Sequence, residues 1–260
     1  MTSTQQYVKW DYTHLAATYT QRPAYAPRAI DRIVATTGRP TPRVADVGAG
    51  NAHLTVDLLA RGCLVDAVEP NDAMRAIGIE RTSGGTVTWH VAVGEETGLP
   101  SDTYDLVTFG SSFATTDRPL ALRETVRILR EGGWFACIWN HRDLTDPTQA
   151  AVEDIIRRRI PGYGYGVRRE DQAPVIRASG LFEEPEVLRE PVRHRVSVPD
   201  WLAAWRSHGI LESQAGDQFE AILADIDDYV RSLRVDELDI PYETVGWLAR
   251  ARSRAAVDRP

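Results

Sequence analysis

Lysine is almost absent from this chain of 260 residues: Lys9 is the only one. Arginine therefore carries the positive charge. The arginines are spread over the whole length, as on a solvated surface, which we read as codon bias and not as a basic patch. Basic residues number 30 against 37 acidic ones, a net charge of −7. A phosphate-binding face needs the opposite balance, so nucleic acid is not an expected partner. Cysteine is scarce as well. Cys63 and Cys137 each lie in an apolar run and read as buried thiols. No C-x-x-C or similar ligand spacing occurs, so no metal site is expected. No apolar run is long enough to span a bilayer. The N-terminus lacks a basic stretch followed by an apolar one, which predicts no signal peptide and a cytoplasmic location, with no membrane partner.

What is present is an alternation of short apolar runs and helical patterns. Runs at 43–47, 63–68, 86–93, 104–109 and 134–139 read as strands, and 52–60, 71–81 and 119–129 between them read as helices. Such alternation builds right-handed βαβ crossovers and hence a mostly parallel sheet. Asn71 or Asp72 is a natural N-cap. Glu131-Gly132-Gly133 reads as a C-terminal helix cap. Beyond residue 143 the pattern predicts helices at 147–159, 169–179, 199–208 and 216–233, and strands at 185–196 and 239–247. Tyr163, Tyr165 and three glycines between 160 and 166 suit a mobile loop. The expected fold is a Rossmann-like α/β domain with seven strands, mostly parallel, helices on both faces, and a small helical cap inserted before the last strand. Within this one domain, residues 1–38 form an N-terminal helical lid. Residues 39–142 form a cofactor-binding core, and 143–260 a substrate-side half with its cap at about 197–233. The chain is expected as a monomer or homodimer.

Asp46-x-Gly48-x-Gly50 lies between the first strand and its helix. Glycines let backbone approach a ligand there, and the helix start offers amide donors. A dinucleotide loop, or a mere connecting turn, has the same look. Two acids narrow the choice. Glu69 follows the next strand, where an acid accepts ribose hydroxyls. Glu95 follows the third, where a side chain meets an adenine amino group. His53 replaces the last glycine of G-x-G-x-x-G, which favours a cofactor without pyrophosphate over a nicotinamide dinucleotide.

On these residues the chain resembles the class I S-adenosylmethionine-dependent methyltransferases. Val44 to Thr55 resembles their first motif, and Ala67 to Met74, reading Ala-Val-Glu-Pro-Asn-Asp-Ala-Met, the second. Leu99 to Val107 is similar to the approach to the fourth strand, and Arg127 to Gly133 to the R-x-L-x-P-G-G turn. Tyr19, Arg22, Pro23 and Tyr25 resemble the Y-x-x-x-R-P-x-Y stretch of a small-molecule, type 11-like branch. Trp139-Asn140 and Ile240-Pro241-Tyr242-x-Thr244 are similar to later parts of that branch. The resemblance implies S-adenosyl-L-methionine as cofactor. It implies that Gly48, Ala49 and Gly50 contact the methionine part through backbone while Asp46 orients its ammonium group. Glu69 would hold the ribose. Pro70 and Met74 would flank the adenine, and Glu95 and the Glu96 backbone would reach its edge. Gly110, Ser111 and Phe113 would line the sulfonium side, with Tyr19 and Arg22 closing over the cofactor. Two departures stand out. Ala52 occupies the third glycine position of G-x-G-x-G, and Ser112-Phe113-Ala114-Thr115 replaces an A-F-H-W stretch.

Methyl transfer from a sulfonium is driven largely by alignment, and a base is needed only where the acceptor must lose a proton. His14, His141 and Tyr19 are the candidates, each of which also reads as an ordinary surface or packing residue. Trp10, Tyr12, Tyr163, Tyr165, Trp201 and Trp205 are candidates for an aromatic substrate pocket, with plain core packing as the competing reading. Asp225, Asp227 and Asp228 read as a solvated acidic face. The expected activity is methylation of O, N or C on a small molecule, in the manner of secondary metabolism. The alternative is a cofactor-binding protein that has lost methyl transfer and catalyses another reaction, such as a cyclisation, or serves as a binding partner.

Overall fold

The computed structural model describes Thr13 and residues 19–253. Seven strands form one sheet: β1 (Arg43–Val47), β2 (Leu64–Val68), β3 (Val87–His90), β4 (Tyr104–Gly110), β5 (Leu129–Arg142), β6 (Glu186–Ser197) and β7 (Glu237–Arg250). Their order is β3-β2-β1-β4-β5-β7-β6. The five strands from β3 to β5 are parallel, and β7 runs antiparallel between β5 and β6. The Rossmann-like, mostly parallel sheet expected from the alternation is therefore present.

Nine α-helices lie among the described residues: α1 (Pro27–Ala35), α2 (Thr55–Leu59), α3 (Asp72–Arg81), α4 (Arg118–Ile128), α5 (Pro147–Arg159), α6 (Ala173–Ser179), α7 (Val198–Arg206), α8 (Gly209–Ala215) and α9 (Phe219–Ser232). Alternation along the strands sends successive side chains to opposite faces. Val44, Leu106, Ala136 and Ile138 pack with Ile30 of α1 and Leu58 of α2. Ala45, Val107, Phe109, Phe135 and Cys137 pack on the other face with Leu122 of α4 and Ile176 of α6. A third cluster joins α7, α8 and α9 to α5 and to Leu238 and Ile240 of β7. This is the helical cap between β6 and β7, with α8 as an extra helix that the polar spacing of its sequence concealed. Both cysteines are buried and unpaired.

Local chemistry explains the helix starts. The Asn71 side chain accepts from Met74 N–H, and Asp117, Asp146 and Ser197 cap α4, α5 and α7 in the same way. Gly180, at φ +69°, closes α6. Gly132 does not cap a helix. α4 ends at Ile128 and β5 begins at once, so Arg130–Gly133 bulge from the strand between Leu129, opposite Tyr104, and Trp134, opposite Leu106. Gly132 takes φ +69° within that bulge. The segment around 160–166 is tied down, because Tyr163 is buried in the cap cluster and its ring meets Tyr165 edge-on at 5.4 Å.

Candidate active site

The C-terminal ends of β1, β2, β4 and β5 open into one cleft of about 750 Å3, as ligand sites do in open α/β sheets. That volume suits small-molecule ligands and falls inside the usual range of roughly 300–1,000 Å3.

The glycine loop forms its floor. Gly48 and Gly50 take φ of +68° and +57°. A Cβ on Gly48 would stand 2.4 Å from Ser112 Cβ, so only glycine fits. Ala52 holds φ +66°, the backbone shape of the glycine it replaces, at a cost of about 1 kcal/mol for an L-residue. The loop does not offer its amides to an anion. Gly48 and Ala49 N–H both donate to Val68 O, at 2.8 and 3.0 Å, and Gly50 N–H donates to Glu69 Oε2 at 2.8 Å. A pyrophosphate needs those donors, so the loop is unsuited to a dinucleotide.

Acids gather at this end. Asp46 is wholly buried beneath the loop, accepting from Thr55 and Thr108 hydroxyls at 2.7 and 2.9 Å. Burial pushes its carboxyl up to about 6. Glu69 spans the loop and the start of α3, its second oxygen accepting from Asn71 N–H at 2.8 Å. Burial raises its carboxyl too, against the pull of those two amides and of Arg75. Glu95 lines the cleft and accepts from Asp117 N–H at 2.6 Å. Pro70 and Met74 form the adjoining wall, and Gly110 and Ser111 the far side of the loop. Asn51 is buried at the cleft, and neither end of its side-chain amide has a partner among the described residues.

Several expected residues stand elsewhere. Phe113 is fully buried in the core, edge-on to Phe109 and Phe135 at 5.3 and 5.2 Å, and Ser112, Thr115 and Thr116 line the cleft in its place. Glu96 is exposed outside the cleft and spends its N–H on Val93 O. His141 lies on the other face of β5 from Asn140 and Arg142, bonded to Arg168 O at 3.0 Å, because neighbours on a strand point to opposite sides. Tyr163 and Tyr165 sit behind the wall, where the Tyr165 hydroxyl donates to Glu153. Trp201 and Trp205 line the cleft from α7, edge-on to each other at 5.6 Å. Arg22 lines it as well and donates to Ser207 O at 2.9 Å. His14, Trp10, Tyr12 and the side chain of Tyr19 lie outside the described residues.

Other cleft residues carried no clear signal in the sequence. Tyr25 donates to or accepts from the Ser111 hydroxyl at 2.9 Å, and was visible only as the end of the Arg22-Pro23-x-Tyr25 stretch. His53 shares its Nε2 proton with Pro23 O at 2.9 Å, leaving Nδ1 unpartnered. Burial holds its pKa down at about 4. His194 and His208 reach the cleft from β6 and from the α7–α8 junction, positions that no local spacing reveals. No cluster able to hold a metal occurs among the described residues.

Sheet order, loop and acid placement are those of the Rossmann-like methyltransferase fold. Residues 45–137 match the family described as a methyltransferase domain. A methyltransferase of uncharacterised activity from Mycobacterium tuberculosis is 34% identical over 122 residues, 47% of this chain and 48% of its own. The ubiquinone/menaquinone biosynthesis C-methyltransferase of Caulobacter vibrioides is 33% identical over 112 residues, 42% of this chain and 44% of its own. The chain thus spans about half the length of the curated relatives it matches. Among solved structures, one assigned as a type II methyltransferase from Anaeromyxobacter dehalogenans superimposes with a TM-score of 0.62 at 20% identity, covering 88% of this chain and 97% of that one. A phosphoethanolamine N-methyltransferase from Haemonchus contortus, bound to S-adenosylhomocysteine, gives 0.51 at 15% identity over 87% and 53%. These likenesses attest the fold.

Proposed function

We propose that this protein transfers the methyl group of S-adenosylmethionine to O, N or C of a small molecule of the secondary-metabolite kind. The observation that carries this is the continuity of the cleft. Among the described residues, an acid-lined half under the glycine loop and an aromatic half under the cap line one continuous cleft. The residues present fit the cofactor. Asp46 supplies a fixed carboxylate for a cationic amino group, and the unpaired Asn51 amide sits beside it on the loop. Glu69 holds both oxygens at the rim, each with a lone pair left after its backbone bond, which suits a ribose diol. Pro70 and Met74 give an apolar slot for a planar base, with Glu95 at its edge.

The bound cofactor supplies an electrophilic sulfonium methyl. The chain's part is to align an acceptor against it, exclude water and take a proton where one is lost. Trp201 and Trp205 provide the flat apolar surface for the acceptor. His53 lines the cleft wall as well, with Nδ1 buried and without a partner among the described residues, and burial holds its basicity low.

Incubation with S-adenosylmethionine labelled in its methyl group and a low-molecular-weight cell extract tests the reading. Label is expected in a product of low mass. S-adenosylhomocysteine bound tightly, with no label leaving the donor for any extract fraction, overturns methyl transfer and favours the cofactor-binding alternative.

A further inference from the structure

The two ends of the cleft differ in charge. Among the described residues, every acid on its wall, Asp46, Glu69 and Glu95, stands at the loop end. The end under the cap is lined by Arg142, His208, Trp201, Trp205 and Tyr242, with no carboxylate among them.

Arg142 is the unusual member. Its side chain is only 8% exposed. Nη2 donates to Glu153 Oε2 at 2.5 Å and to the Tyr165 hydroxyl at 2.7 Å. Nε and Nη1 are buried and meet no acceptor among the described residues. Unmade bonds on a buried guanidinium are costly, and native proteins rarely leave them so. The charge is not cancelled either. Glu153 gives its other oxygen to Arg157 Nε at 2.7 Å, so one carboxylate serves two arginines. The guanidinium lies over the Trp205 ring, 5.0 Å from its centroid, on the wall of the cleft. His208 stacks on the same indole at 5.2 Å and 13°. Its Nδ1 accepts from Leu211 N–H, so the neutral ring carries its proton on Nε2 and offers a donor.

We infer that the methyl acceptor is a small aromatic molecule bearing an oxyanion, a carboxylate or comparable group, held by Arg142 against Trp205. The inference rests on the methyltransferase reading only in calling this ligand the acceptor. Arg142 binds and orients; it does not touch the methyl group.

Benzoate and benzamide have nearly the same shape and differ in charge. Both are titrated calorimetrically into the wild-type protein, with and without S-adenosylhomocysteine, and into Arg142→Met. Benzoate is expected to bind wild type at least about tenfold more tightly than benzamide, as a charge-assisted bond provides. Arg142→Met should erase the preference, and Arg142→Lys should restore part of it. Because Arg142→Met leaves Glu153 with a poorer partner, Arg142→Met/Glu153→Gln serves where the single variant does not fold. Equal affinities in wild type, no benzoate binding, or a preference that survives in the Met variants overturns the inference. Failure of S-adenosylhomocysteine to bind counts against the methyltransferase reading alone, because benzoate is also measured without it.

Discussion

At the residue scale, Asp46 shows how burial is turned to binding. A carboxylate without water costs free energy, and the two threonine hydroxyls only partly offset it, so the group titrates near 6. A cationic amino group beside it favours the ionised form. The sign follows: above about 6 the carboxylate is ready for the cation, and below it a proton must first be lost. S-adenosylhomocysteine affinity is therefore expected to fall towards tenfold per pH unit on going from about pH 6 to 5, one unit being about 1.4 kcal/mol. Calorimetry across pH 5 to 8 reads this directly. A flat profile, or the same slope in Asp46→Asn, sinks the assignment. His53 acts on stability instead, and its shift has the opposite direction. Its folded pKa lies at about 4, below its ordinary 6.5, so the unfolded chain takes up the proton first and stability is lost as pH falls through that window.

At the element scale, β5 decides which residues belong to the cleft. Asn140 and Arg142 share the parity of Ala136 and Ile138, whereas His141 shares that of Phe135 and Cys137. His141, expected just past a strand end, thus lies within β5 and on the far face, bonded to Arg168 O. His141→Ala is expected to change the methyl-transfer rate less than about twofold while costing about 1 kcal/mol in urea unfolding, the worth of one hydrogen bond. A loss of rate at unchanged stability would restore His141 as a candidate base. The glycine loop follows the same logic of position. Its amides looked available from the Gly-x-Gly spacing, but β2 runs alongside and Val68 O takes two of them.

At the scale of the whole molecule, the segment before α1 is strapped across the sheet. Asn140 Nδ2 donates to Pro23 O and Ala24 O at 2.8 and 2.9 Å, and its Oδ1 accepts from the Thr244 hydroxyl at 2.6 Å. Thr244 Oγ1 in turn accepts Ala26 N–H at 2.7 Å. One side chain thus ties the entry segment to β5 and β7 and sets Arg22 and Tyr25 over the cleft. Asn140→Ala should speed hydrogen exchange at residues 24–26 and weaken S-adenosylhomocysteine binding by about tenfold, near 1.4 kcal/mol. Unchanged exchange and affinity would show that packing of Tyr25 and Ala26, not the bonds, holds the strap.

Much was legible from the residues alone, for a local reason. Alternating apolar runs, Asn71 as a cap, and Asp46, Glu69 and the glycines each express a requirement met within a few residues of chain. They determined the Rossmann-like sheet, the place of the loop and the acids at strand ends. The tertiary structure decided what depends on parity, register and distant chain. It turned Phe113 and His141 away from the cleft, put Tyr163 and Tyr165 behind Arg142, and brought in His194 and His208, which lie 52 and 66 residues beyond the end of β5. It also gave Arg142 its incomplete set of partners. A side chain's partners across a cleft are set by how the sheet closes against its cap, and no local spacing encodes that.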